Sequence, residues 1–213
     1  MLRLNNTELI NISIIDAENG VRALKYSSKN IEFGRKVIYT HYKPDNITDD
    51  IEYIEIDQLT PQTIDYFAIK ILPHYQICDF MISIHTDGFI INPHLWNPDF
   101  QNYDYIAAPW PPLHWCRRNR VGNGGFVMKS KKFTEIESTL SNIFGHNDVL
   151  ITNFYYDVFI QQGCKYAPVD LAKTFALELP IPECKHDLTK TFGFHGKYTP
   201  ESIQQLELLK QYT

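Results

Sequence analysis

Between residues 10 and 84, short β-branched apolar runs alternate with helix-patterned segments, and this alternation restricts the chain more than any other feature. INISIID (10 to 16) predicts a strand. The following AENGVRALKYSSKNI predicts a helix, with Val21, Leu24 and Ile31 at near-helical spacing and Gly34 as its stop. RKVIYTHY (35 to 42) and IEYIEID (51 to 57) read as two further strands. Thr60-Pro61 then opens a second helix, PQTIDYFAIKILPHY, with Pro61 at its first position and Pro73 bending or ending it. FMISIHT follows as a strand. The order β-α-β-β-α-β predicts an α/β fold with a largely parallel sheet, helices on both faces, and a ligand crevice at the carboxyl ends of the strands.

The second half is less regular. A short FIIN segment leads into an aromatic and proline-rich region from His94 to Trp115, then GGFVMKS predicts another strand. KKFTEIESTLSNIF and NDVLITNFYYDVFIQQG predict helices, the latter with Asn147 or Asp148 as N-cap and Gly163 as C-cap. KYAPVDLAKTFALEL predicts a strand or two. The tail TPESIQQLELLKQY predicts a helix capped by Thr199, with Pro200 in its first turn and Ile203, Leu206 and Leu209 on one face. The expectation is one domain over residues 1–213, with the tail leaving open that it is the N-terminal part of a longer chain.

Composition excludes several classes. An apolar content of 44% supports a sizeable core, and a net charge of -5 with scattered Lys and Arg argues against nucleic acid as a partner. Cys78, Cys116, Cys164 and Cys184 show no C-x-x-C spacing, so they read as reduced thiols in a cytoplasmic setting. No run approaches the ~18 apolar residues of a membrane span. No H-E-x-x-H zinc hydrolase signature occurs.

The stretch MISIHTDGFIIN (81 to 92) places His85 and Asp87 at the end of a hydrophobic strand. An Asp-Gly turn between two apolar runs is one reading, and a ligand site at a strand's carboxyl end is the other. Five segments in order, HTDGF (85 to 89), YDYIAAPWP (103 to 111), RVGNGGFVMKS (120 to 130), HNDVLITNFY (146 to 155) and FGFHG (192 to 196), resemble the glycosyltransferases of the GT-A fold, and within them a group of chlorella-virus and bacterial sugar transferases. The resemblance covers residues 8 to 196. It implies a GT-A-like (Rossmann-like) central, mostly parallel mixed sheet flanked by helices. It further implies transfer of a hexose or deoxyhexose, such as glucose or rhamnose, from a UDP-sugar to a glycan or glycoprotein acceptor, with a viral capsid glycoprotein as the analogous case. Mn2+ or Mg2+ would offset the charge on the departing diphosphate.

Residue by residue, the family's D-x-D metal element falls on His85-Thr86-Asp87, which makes Asp87 a metal ligand and His85 a departure that removes one negative charge. His195 resembles a late histidine that returns to the metal, and Lys197 in the same loop is a diphosphate contact. Asn123, Gly124 and Gly125 are placed at the donor sugar and acceptor, the glycines permitting close approach and Asn123 offering hydrogen bonds. Asp148 occupies the position of the catalytic acidic residue, a general base for the attacking hydroxyl. It also reads as a helix N-cap, where the dipole would lower its pKa. Asp16, Arg22 and Tyr26 are expected as donor contacts after the first strand, with an ordinary surface arginine as the other reading of Arg22; Asp104 is expected as a partner for sugar hydroxyls, and Trp110, His114 and Trp115 as flat faces that stack on sugars or anchor the loop. A nucleotidyltransferase fits poorly, because AENGVR lacks its glycine-rich phosphate loop. A non-catalytic sugar- or nucleotide-binding module is the alternative function, and it needs no convergence of Asp87 and His195.

Overall fold

A computed structural model of the chain describes residues 1–112 and 116–196. Strand β1 (Leu2–Ile12), helix α1 (Ala17–Ser27), strands β2 (Ile31–Thr40) and β3 (Glu52–Glu55), helix α2 (Ile64–Tyr66) and strand β4 (Phe80–Ile84) follow one another in the order expected from the alternation. With β6 (Tyr105–Ala107) and β7 (Phe126–Ser130) they form a six-stranded sheet of order β3-β2-β1-β4-β7-β6. Strands β1 to β4 run parallel, and β7 is antiparallel to both β4 and β6. Strand alternation sends Ile10, Val37, Tyr39 and Met81 to one face, against Leu59, Phe67 and Leu72. Leu9, Ile38 and Ile82 face the other way, against Val21 and Leu24 of α1. Both faces are thus covered, as parallel strands require.

A second, three-stranded sheet of order β5-β9-β8 joins β5 (Gly88–Ile90), β9 (Gly193–His195) and β8 (Ala176–Leu177). Its anchor is aromatic. Phe192 packs 5.9 Å from Phe175 and 5.2 Å from Trp96, while Phe194 stacks 5.8 Å from Phe89. Such pairs add about 0.5–1.5 kcal/mol each beyond their buried area, so β9 is held on both sides of its path.

Several boundaries differ from the sequence reading. Strand β1 begins at Leu2 rather than residue 10 and ends at Ile12, because Thr7, Glu8 and Asn11 are buried polar residues that disguise its apolar pattern. Helix α1 ends at Ser27, with Asn30 in the left-handed region at φ 64°, and Gly34 lies inside β2, where a Cβ would meet the Asn5 carbonyl at 2.2 Å. The helix expected over 61–75 is broken into α2, a π turn (Phe67–Ile71) and a 3-10 turn (Leu72–Tyr75) that holds Pro73. Helix α3 (Lys131–Thr139) forms as expected. The next helical stretch divides into α4 (Asn147–Val149), a π turn (Leu150–Phe154) and α5 (Tyr156–Gln161), with Gly163 at φ 74° just beyond its end. The N-cap of α4 is His146, not Asn147 or Asp148. The segment read as a strand or two is mainly α6 (Val169–Phe175), started after Pro168, with only the two-residue β8 behind it. The tail helix from Thr199, together with Lys197, His114 and Trp115, lies outside the described residues.

Candidate functional site

The site is assembled at the carboxyl end of β4. Asn11 Nδ2 donates to the Ile84 carbonyl at 2.8 Å and so pins that strand end to β1. The chain then turns: the Gly88 amide donates to the His85 carbonyl at 3.1 Å, and the His85 amide donates to the Gly125 carbonyl at 2.9 Å. The turn reading of Asp-Gly is therefore right, and the turn leaves His85 and Asp87 at the carboxyl end of the strand. Antiparallel pairing of Gly88 with His195, and a Gly196 amide bond to the Asp87 carbonyl at 3.1 Å, bring β9 onto the turn.

His195 Nε2 lies 3.3 Å from Asp87 Oδ1, and the His85 and His195 rings meet edge to face at 5.2 Å. His85, Asp87 and His195 each offer one ligand atom within 4.8 Å of the others. Gly125 makes this possible, since a Cβ there would sit 2.1 Å from Nε2 of His195. Two imidazoles and a carboxylate form a mixed nitrogen and oxygen donor set that fits a first-row divalent cation such as Fe2+, Zn2+ or, less tightly, Mn2+.

Burial and charge divide the two histidines. Burial would lower the pKa of His195, but the carboxylates of Asp87 and Glu178 outweigh it and carry the value to about 9. His85 is exposed to solvent on one side of the recess, yet enclosure on its other sides, and then the His195 charge, push its pKa below the ordinary value. Enclosure acts to raise the pKa of Asp87, but its contacts with His195 and His85 leave it below the usual carboxylate range. His85 is therefore a neutral imidazole with a free lone pair, while a cation binding at His195 must displace a proton.

Asp148 stands on the other side of the glycine pair. Its Oδ2 accepts from the Gly124 amide at 3.3 Å and its Oδ1 from the Val149 amide at 2.7 Å. Its pKa is raised, chiefly by burial, against the lowering expected from a helix dipole. Enclosure of the carboxylate outweighs the lowering by the Val149 and Gly124 amides that it accepts from. Asn123 Oδ1 accepts from the amides of Gly125 and Phe126 at 2.9 and 3.2 Å, so this side chain shapes the loop rather than offering that oxygen to a sugar. Gly124 and Gly125 thus link the two halves of the site, one touching Asp148 and the other His195.

Four of the residues singled out in the sequence are placed elsewhere. Asp104 precedes β6 and bonds Ser130 Oγ at 2.7 Å and the Lys165 amide at 2.8 Å. Because β7 is antiparallel, Ser130 pairs with Phe80 while Phe126 pairs with Ile84, so Asp104 marks the opposite end of the sheet from the cluster. Arg22 and Tyr26 line a surface groove on α1 with Lys25 and Lys29. Arg22 lies roughly 9 Å of helix rise beyond Asp16, and the Tyr26 ring packs edge to face on Phe89 at 5.6 Å, behind the turn rather than in the cluster. Trp110 is 4% exposed, with its carbonyl accepting from Arg120 Nε at 2.9 Å; it anchors its loop. Asp16 does remain at the strand-end side, where its carboxylate caps α1 by accepting from the Asn19 amide at 3.0 Å.

One residue was missed by sequence reasoning. Glu178 follows β8, and its Oε1 lies 3.3 Å from His195 Nδ1. The available signal was the one that exposed His85, a charge closing an apolar strand, here Ala176-Leu177-Glu178. Asn147 also lines the recess with His85 and Gly124.

A family profile, DUF5672, described as a protein of unknown function, matches residues 70–195. The chain belongs to that family. No curated protein sequence matches this DUF5672 chain. Among solved structures it is similar to a galactosyltransferase LgtC in complex with donor and acceptor sugar analogs, with TM-score 0.54 and 12% identity over 96% of this chain and 95% of that one. An active-site mutant of LgtC matches at the same TM-score, identity and coverage. A glycosyltransferase involved in the glycosylation of the major capsid of PBCV-1 matches with TM-score 0.54 and 11% identity over 96% and 98%. These likenesses give the DUF5672 chain the GT-A fold expected from its motifs.

Proposed function

We propose that this chain is a metal-dependent glycosyltransferase that moves a hexose or deoxyhexose from a UDP-sugar to a hydroxyl of a glycan or glycoprotein. The observation that carries the reading is the convergence of His85, Asp87 and His195 at the carboxyl end of β4. A sugar-binding module has no need of it. A divalent cation held there supplies positive charge against the departing diphosphate. Two imidazoles among three ligands favour Mn2+ over the oxygen-loving Mg2+.

The chain's own residues take the remaining tasks. The open backbone of Gly124 and Gly125 lets the donor approach closely. Asp148, kept basic by burial, accepts the proton of the attacking acceptor hydroxyl. With Asp148 as base, the hydroxyl attacks the anomeric carbon opposite the diphosphate and the product has inverted configuration. Asp16 stands at the donor side of the same strand ends.

Calorimetric titration of the chain with UDP, with and without Mn2+, tests the reading. Binding that requires Mn2+ and is lost in Asp87→Ala supports it. UDP binding indifferent to Mn2+ leaves a nucleotide-binding module, and no binding in either condition rejects the transferase.

A further inference from the structure

Glu178 is a largely enclosed acid to which the transfer chemistry assigns no task. The parallel register Leu177 to Phe194 sets it beside His195, the next residue on each strand. Its side chain is 13% exposed, and its Oε2 is buried without a hydrogen-bond partner. An unmet enclosed acceptor is unfavourable, and among the described residues His195 is its one ion-pair partner. The contact is close but off the line of a hydrogen bond, since His195 Nδ1 also lacks a formal partner. The imidazole is thus flanked at both nitrogens by carboxylates, Asp87 from the turn after β4 and Glu178 from the end of β8.

We infer that Glu178 is a positioning residue that selects how His195 presents itself to a cation. A neutral imidazole carries its proton on one nitrogen and its lone pair on the other. An acceptor beside Nδ1 holds the proton there and leaves the Nε2 lone pair facing Asp87 and His85. The three-stranded sheet is the device: β5 fixes the turn of Asp87, β9 carries His195, and β8 brings the acid that orients it. This rests on the metal reading of the cluster. A purely structural role for Glu178, neutralising a protonated His195, makes the opposite forecast: its loss changes fold stability without a specific effect on cation uptake.

The test uses the full chain and Mn2+ alone, with uptake followed by the paramagnetic resonance of the free ion. Glu178→Leu, close in volume, is expected to weaken Mn2+ uptake by about 10–100-fold, the usual loss when an outer-shell partner of a ligand is removed. The variant should still fold, because Asp87 remains 3.3 Å from His195 Nε2 as its charge partner. Glu178→Gln keeps an acceptor for Nδ1 and should bind Mn2+ more tightly than the leucine variant. Uptake by Glu178→Leu equal to the parent overturns the inference. A variant-free check is the nitrogen-15 spectrum of the Zn2+-loaded parent, expected to show the His195 proton on Nδ1 and the metal on Nε2; metal on Nδ1 overturns the assignment. A parent that takes up neither ion sinks the metal reading itself, a result distinct from an unaffected variant.

Discussion

Two charge clusters, one buried and one half-buried, are finished in different ways. Lys129 on β7 donates to both carboxylate oxygens of Glu137 on α3, at 2.8 and 3.0 Å, and the two side chains are 8% and 0% exposed. Burial raises the pKa of Glu137, and Lys129 pulls it back. That pair is closed on itself. The cluster of Asp87, His195 and Glu178 is held by looser 3.3 Å contacts, keeps an unpartnered Oε2, and adjoins the solvent-facing His85. A polar group that only supports the fold is satisfied within the fold, whereas one that serves a ligand keeps capacity in reserve.

The largest expected effect lies on the open side. Asp148→Asn should retain Mn2+-dependent UDP binding and lower the transfer rate by about 10²–10⁴-fold, the usual worth of a general base; a product assay with matched calorimetry reads both, and undiminished transfer removes Asp148 from the chemistry. On the closed side, Lys129→Met leaves Glu137 buried without its cation and should cost about 3–5 kcal/mol in chemical denaturation. Asp87→Asn, by contrast, should hold the parent's denaturation midpoint. Equal losses in these two variants would erase the distinction between the clusters.

Gly125→Ala sharpens the comparison at a single atom. Its Cβ would fall 2.1 Å from His195 Nε2, so the ring must leave its place, and Mn2+ uptake should weaken about 10–100-fold with the chain still folded. The smallest effect concerns Glu8, whose carboxyl pKa is raised above 4.5 by burial despite Arg35 Nη1 at 3.5 Å. The folded chain then holds this proton more tightly than the unfolded one. Its contribution is full below pH 4.5 and is lost as pH rises through the higher native value. Glu8→Gln should flatten that decline in a series of melting curves, and an unchanged slope would assign the decline to other groups.

The alternation of the first half was legible because its strands and α1 are each made of local pattern and cap. Asp16, for example, stands where an N-cap is needed and accepts the Asn19 amide. Legibility failed where tertiary contacts overrode pattern. Glu8 and Asn11 look like loop residues until Arg35 and the Ile84 carbonyl are placed beside them. Of the site, His85, Asp87 and His195 could be found because motifs mark them. Asp104 was misplaced because nothing in YDYIAAPWP reveals that its strand neighbours an antiparallel one, which reverses the end of the sheet it occupies. Glu178 was invisible because only the register of β8 on β9 makes it a neighbour of His195.

The pairing of β5 with β9 bears on how the folded chain responds to its surroundings. Asp87 and His195 are more than a hundred positions apart in the sequence, and pairing them closes a long loop late in assembly. A cation shared between them, as proposed, would cross-link the two points as a disulfide does, but reversibly. By mass action, each tenfold excess of free ion over its dissociation constant would add about 1.4 kcal/mol of resistance to unfolding. The chain would then register metal supply in its lifetime as well as in its turnover, with chelation opening the clasp and proteases reaching the loop first.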